Sequence, residues 1–260
     1  MDGSPNGNSA APARRIADKP SGPVWQGATV IETIKEAPDT LTLRLRLEES
    51  VGFAAGQYYN VRMSVPGRPR PVQRAYSVGS SPLPDPRVID IGVRELPGGL
   101  VSPRLVRETA IGDQLKVRGP YGRFIWNDRE SGAVVLVGAG SGLVPLMSMV
   151  RHAKSRGHNH RVWLICSAIT YEHALYRDEL SALQAAEPWL DLTHCVTRDP
   201  AEHNARFHRR IDRDVLNRVL RDETPARAYV CGPPAMVETV TTALEEIGLD
   251  PHSILTEKYD

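Results

Sequence analysis

Residues 133–137 form an unbroken apolar run that leads into Gly138-Ala139-Gly140-Ser141-Gly142, and an apolar, helix-like stretch follows to about Arg156. A buried strand, a glycine-rich turn and a helix in that order are the unit from which parallel sheets covered on both faces are built. The alternation continues: strands are expected at 162–166, 190–196, 228–231 and 254–259, and helices at 171–186, 212–221 and 234–247. Ahead of residue 128 the texture differs. Leu41-Thr42-Leu43-Arg44-Leu45-Arg46-Leu47 alternates perfectly, the mark of a half-buried antiparallel strand. Further short strands are expected at 24–34, 57–65, 88–94 and 114–118, separated by Pro66-Gly67, the prolines at 82–86, Pro97-Gly98-Gly99 and Gly119-Pro120. Ser102-Pro103 reads as the start of one short helix, with Ser at the N-cap. The fold expected is therefore two domains: an antiparallel β-barrel over residues 23–127, then an α/β parallel sheet over 128–260. With 260 residues, 41% of them apolar, the chain can bury both cores. Residues 1–22, rich in Gly, Pro, Ser, Ala and Asn, read as a flexible N-terminal tail.

Composition narrows the function. Net charge is +1, so no global field draws nucleic acid or an acidic membrane. A modest basic excess in residues 23–127 and an acidic one in 128–260 leave room for an acidic protein partner on the first lobe, or for ordinary surface scatter. No apolar stretch is long enough to span a bilayer and no signal-peptide region is visible, which gives a cytoplasmic expectation with no membrane partner. The cysteines, Cys166, Cys195 and Cys231, form no CxxC pair and lack the ferredoxin spacing, so neither zinc nor an iron–sulfur cluster is expected. The histidines show no metal spacing either, and no metal is expected.

Five short segments carry chemistry. Arg74, Tyr76 and Ser77 place a cation, an aromatic plane and a hydroxyl on one strand, a set suited to a diphosphate and a flavin ring, or to a mixed surface strand. In Gly98-Gly99-Leu100-Val101-Ser102 the small residues admit close approach and the helix start offers free amides, although a plain hairpin turn reads the same way. Gly138, Gly140 and Gly142 fit the context of a dinucleotide loop, with Pro145 early in the helix where a missing N–H does no harm. The third glycine of the GxGxxG pattern is replaced by Leu143, and a ligand-free tight turn is the alternative. Cys231-Gly232-Pro233-Pro234-Ala235-Met236 ends a strand at the sheet edge where open α/β folds bind ligands; its thiol could border a nicotinamide or be a small buried apolar group. The fifth segment is Glu257-Lys258-Tyr259.

Taken in order, these segments resemble the ferredoxin–NADP reductase superfamily over residues 23–260. The resemblance implies a flavin-binding barrel followed by a nucleotide-binding sheet. It implies that Arg74 meets the pyrophosphate of FAD, that Tyr76 lies against the flavin, and that Ser77 hydrogen-bonds near the ring nitrogen N5. Gly99, Leu100, Val101 and Ser102 would complete the phosphate clamp, which also favours FAD over FMN. Gly138, Gly140, Gly142 and Pro145, with Gly232, Pro233 and Met236, would hold the nicotinamide dinucleotide. Cys231 and Glu257 would shape the nicotinamide pocket, and Tyr259 would cover the flavin face as a gate; Asp260 after that aromatic is a small departure. Thr197 and Arg198 match a pair that relatives place on a 2′-phosphate, and the second strand ends in Cys166-Ser167 without a repelling carboxylate. Ile169, however, stands where many relatives have Arg, so NADPH is expected over NADH on half a clamp. The activity implied is an FAD-dependent NAD(P)H oxidoreductase passing electrons to a separate acidic protein such as a ferredoxin. The alternatives are a reductase of free flavin or ferric chelates, and a flavin electron-transfer subunit of an oxygenase or molybdenum-enzyme assembly.

Overall fold

The structure is a computed structural model that describes residues 22–129, 132–200, 203–221 and 223–259. The expected tail, Gly22 apart, and Asp260 lie outside the described residues. Six antiparallel strands come first: β1 (Gln26–Ala37), β2 (Thr40–Leu47), β3 (Tyr58–Met63), β4 (Val72–Ser77), β5 (Val88–Arg94) and β6 (Gln114–Tyr121). Their order is β4-β3-β6-β1-β2-β5. The two edges meet at a bridge between Val78 and Ile91 and a hydrogen bond from the Gly79 N–H to the Asp90 carbonyl at 2.7 Å, so the sheet rolls into a barrel with a narrow seam. The alternation in β2 explains its inner face: Leu43, Leu45 and Leu47 fill the barrel with Val30, Val61, Ile89 and Val117.

The short helix α1 (Ser102–Arg107) lies between β5 and β6, but its cap differs from the expectation. Val101 is the N-cap, and the Ser102 hydroxyl instead accepts the Leu96 N–H at 3.1 Å. Closing the turn ahead of the helix satisfies that amide; Gly99 is part of the reason, since a Cβ there would stand 2.9 Å from the Leu96 carbonyl oxygen.

Five parallel strands follow: β7 (Val134–Ala139), β8 (Val162–Ala168), β9 (Leu190–Val196), β10 (Arg227–Gly232) and β11 (Ile254–Lys258), ordered β11-β10-β7-β8-β9. Helices α2 (Leu143–Ser155) and α3 (Arg177–Ala186) cover one face, and α4 (Arg213–Leu220) and α5 (Pro234–Glu246) the other. The helix expected over 171–186 is broken. A single 3₁₀ turn, Tyr171–His173, precedes Tyr176, which adopts a left-handed φ of 57° before α3 begins. The left-handed residue turns the chain so that the Tyr176 ring is buried in the core shared by both halves, a long-range demand that local periodicity does not carry. That shared core also holds Ala55, Phe124 and Trp126, and Trp126 stacks on Tyr229 of β10.

Candidate active site

Chain order reverses at the centre of the parallel sheet. From β7 the chain moves to β8 and β9 on one side, then returns to β10 and β11 on the other. The crevice between the carboxyl ends of β7 and β10 is the switch point at which open α/β sheets bind ligands. Gly138 of β7 and Cys231 of β10 are register partners there, and Glu257 of β11 pairs with Cys231 in turn. Cys231 is almost wholly buried; that burial, with Glu257 alongside, pushes its thiol well above the usual range. Burial also raises the Glu257 carboxyl.

The glycines of the turn divide their tasks. Gly140 has φ +54°, a conformation glycine adopts without a Cβ penalty, and it lines the cleft. Gly142 allows the turn to press on β10: a Cβ there would stand 2.3 Å from the Cys231 carbonyl oxygen. Gly138 leaves space for Leu146, whose Cδ1 would be 2.8 Å from an added Cβ. Pro145 is buried in the first turn of α2. Tyr259 closes the mouth of this turn. Its hydroxyl accepts the Gly142 N–H at 2.6 Å and donates to the Ala139 carbonyl. Burial pushes the phenol up to about 12, so it remains a donor at ordinary pH.

Beside the turn opens a cleft of about 240 Å³ with walls from both sheets. Gly140, Ser167, Ile169, Thr197, Pro233 and Tyr259 line one side, and Asp39, Thr40 and Arg94 the other. Arg94 Nη1 would lie 3.6 Å from a Cβ on Gly140, and its Nε donates to Asp39 at 2.8 Å. Burial alone would raise the Asp39 carboxyl, but hydrogen bonds from Arg94 and Thr40 and the Arg94 charge hold it below its ordinary value. Across the cleft the amides of Thr197 and Arg198 donate to the Ala168 and Ile169 carbonyls, which joins the loops after β8 and β9. Arg198 itself is exposed. Sequence reasoning missed Arg94, Asp39 and His173, which also lines the cleft. Arg94 had one signal, its place at the end of β5 just ahead of Pro97-Gly98-Gly99; Asp39 looked like an ordinary residue of the β1–β2 turn.

The remaining sequence candidates lie on the barrel or behind the cleft. Register pairs Arg74 with Val61, Tyr76 with Tyr59 and Ser77 with Tyr58. Cross-strand partners share a face, so Arg74 and Tyr76 point to the inner side of the exposed strand β4 and Ser77 to the outer side. Tyr76 is half-buried against the barrel core, while the Arg74 guanidinium is exposed and, among the described residues, bonds its neighbour's carbonyl, that of Gln73, at 2.8 Å. Gly99, Leu100, Val101 and Ser102 form the turn into α1. Gly232 ends β10, and Met236 packs towards the core under α4 and α5. Among the described residues no group of three His, Cys, Asp or Glu could hold a metal, and no helix is long and apolar enough to cross a membrane.

Comparison with known proteins places both sheets. Residues 27–126 match the family described as oxidoreductase FAD-binding domain, and residues 136–242 that described as oxidoreductase NAD-binding domain. The ferredoxin–NAD(P)(+) reductase component of the naphthalene 1,2-dioxygenase system of Pseudomonas putida is 29% identical over 231 residues, covering 89% of this chain and 68% of that protein. The reductase subunit of an aromatic O-demethylase from an Amycolatopsis species is 30% identical over 237 residues, covering 89% of this chain and 68% of that one. Among solved structures, a cytochrome P450 reductase from Amycolatopsis superposes with a TM-score of 0.79 at 28% identity, covering 93% of this chain and 72% of the other.

Proposed function

The chain belongs to the ferredoxin–NADP reductase superfamily, and from that membership we propose that it takes reducing equivalents from NADPH onto FAD and hands electrons to a separate ferredoxin-type protein. The flavin would be held by residues 23–127 and the dinucleotide by residues 128–260. The observation that carries this reading is the cleft at the switch point, walled by the glycine turn on one side and by Arg94 of the barrel on the other.

The residues present fit both cofactors. For FAD, β4 offers an exposed guanidinium with no carboxylate on it among the described residues, a half-buried ring and a hydroxyl at one strand end, and α1 opens with amides that have no intrahelical acceptor. Arg74 would bind the pyrophosphate, together with the turn Gly99 to Ser102, while Tyr76 and Ser77 would hold the ring system. For the dinucleotide, Gly140, Pro233 and the start of α2 would form the cradle, with Arg94 and Tyr259 3.6 and 3.8 Å from the place a Cβ on Gly140 would take. The bound cofactors supply the redox chemistry, hydride from the reduced nicotinamide to the flavin and single electrons onward. The protein binds, orients and excludes water. Arg94, fixed by Asp39, would neutralise the dinucleotide pyrophosphate from across the cleft. Cys231 and Glu257 would form the apolar floor and polar rim of the nicotinamide pocket, and Tyr259 would move aside for the ring. The wall made by Ser167, Ala168, Ile169 and Thr197 bears no carboxylate, and exposed Arg198 adjoins it; both features favour the 2′-phosphate of NADPH.

An acidic acceptor is supported by charge on the barrel. Arg62, Arg68, Arg70, Lys116 and Arg118 gather on β3, β6 and the β3–β4 loop, and none has an ion-pair partner among the described residues. Arg62 and Arg118 flank the Trp25 ring at 4.4 and 4.9 Å. By contrast Arg44, Arg94, Arg107 and Arg151 are all paired. Steady-state turnover with NADPH tests the acceptor. An acidic ferredoxin should outcompete free flavin and ferric chelates, and its KM should rise steeply with ionic strength. Equal or better turnover with free flavin would favour a small-acceptor reductase instead.

A further inference from the structure

Helix α2 begins at the glycine turn, and one stripe of it grips the barrel. Val144, Ser148 and Arg151, spaced four and three residues apart, share a helix face. Val144 packs so tightly on β5 that a Cβ on Gly92 would stand 2.3 Å from its Cγ2. Ser148, fully buried, donates its hydroxyl to the Ser80 carbonyl at 2.6 Å. Arg151 Nη1 donates to the Gly79 carbonyl at 2.8 Å. Gly79 and Ser80 follow β4 directly, two and three residues beyond Ser77.

These carbonyls belong to a closed network. The Gly79 N–H bonds the Asp90 carbonyl at 2.7 Å, and the Asp90 N–H bonds the Ser80 hydroxyl at 3.1 Å. The buried Asp90 carboxylate takes a two-pronged bond from Arg44 at 2.8 and 3.0 Å and has Arg151 at 3.5 Å. Glu179 of α3 holds the far side of Arg151 at 2.8 and 2.5 Å. The helix that carries the proposed dinucleotide turn is thus bonded to the backbone leaving the proposed flavin strand.

We propose that Ser148 and Arg151 are positioning residues: they fix α2, and with it the glycine turn, against the exit of β4, and so set the alignment on which hydride transfer depends. The proposal rests on the functional reading above. A rigid helix rising about 1.5 Å per residue carries a displacement at Arg151 to the turn at its start with little loss. Misplacement of reacting groups by about 1 Å is enough to slow a transfer about a hundredfold.

The test uses the full chain loaded with FAD, as wild type, Arg151→Met, Arg151→Lys and Ser148→Ala. Anaerobic rapid mixing with saturating NADPH gives the reduction rate, spectral titration with NADP+ gives the Kd, and amide hydrogen exchange of residues 78–81 without dinucleotide reports the tie itself. Arg151→Met should slow reduction about ten- to a hundredfold with Kd within about twofold of wild type, and Arg151→Lys should recover most of the rate. Exchange at 78–81 should quicken in Arg151→Met. Ser148→Ala removes a single hydrogen bond and should shift rate and exchange in the same directions by about fivefold, which keeps the test open if Arg151→Met fails to fold. A wild-type reduction rate, or unchanged exchange at 78–81, in the folded variants overturns the proposal. If the wild-type protein binds FAD but NADPH does not reduce it, the functional reading fails, and the exchange arm still decides whether the tie exists.

Discussion

Tyr259 shows how much one side chain can control. Its hydroxyl accepts the Gly142 N–H and donates to Ala139, so it occupies the amide that a dinucleotide would otherwise reach. On the proposed reading a dinucleotide that reaches the Gly142 amide would have to break both bonds. Tyr259→Phe removes them and keeps the ring, and one hydrogen bond of this kind is worth about 1 kcal/mol. With two such bonds no longer to be broken, about 2 kcal/mol together, NADP+ should bind about thirtyfold more tightly to the variant in a spectral titration. An unchanged or weaker Kd would deny the hydroxyl that role.

His194 makes a different prediction. It is buried on β9, edge-on to Tyr171 at 5.2 Å, and its Nε2 has no partner among the described residues. Burial first, then the charge of Arg177, lowers its pKa from 6.5 to about 4. Unfolded, the same imidazole takes up a proton near pH 6.5. Between the two values the unfolded chain binds more protons, so the stability is full above pH 6.5 and is lost as pH falls towards 4. The loss from this group between pH 7 and pH 5 should be about 2 kcal/mol in urea unfolding. His194→Gln should flatten that part of the profile; an identical slope in the variant would assign it to other groups.

At the scale of elements, the sequence was legible wherever period and turn chemistry act locally. Alternation in β2 identified the inner face of the barrel, and the apolar run into three glycines identified the turn at the switch point. The separate tasks of those glycines were not legible. Gly142 is needed because of Cys231, and Gly138 because of Leu146, and only the folded sheet brings the first pair together. The break before α3 was hidden for a similar reason: residues 171–186 read as continuous helix, but burial of Tyr176 between the halves requires a left-handed residue there. The cap of α1 was misread because Ser102 had a better use, the Leu96 amide six residues earlier. Arg94 and Asp39 reach the cleft from a strand end and a hairpin, and nothing in their neighbours marks the glycine turn they face.

At the scale of the whole molecule, the two sheets act as one unit because they share a core and because charged side chains cross between them. Asp90 is the centre of that junction, with Arg44 on its own half and Arg151 on the other. Leaving so buried a carboxylate unpaired costs about 3–5 kcal/mol, so the junction is as much a stability element as a positioning one. On the proposed reading the cleft at the switch point would take the dinucleotide against the glycine turn with Arg94 of the barrel facing it, and the cations of β3, β6 and the β3–β4 loop would present a basic surface to a partner. The central claim is that these two lobes bring a nicotinamide to a flavin. An anaerobic visible spectrum of the purified chain, recorded after incubation with FAD and then during titration with NADPH and with NADH, tests it directly. The account predicts a bound-flavin spectrum that bleaches stoichiometrically with NADPH, and at lower concentration than with NADH. A protein that takes up no FAD, or whose bound flavin neither dinucleotide bleaches, would contradict it.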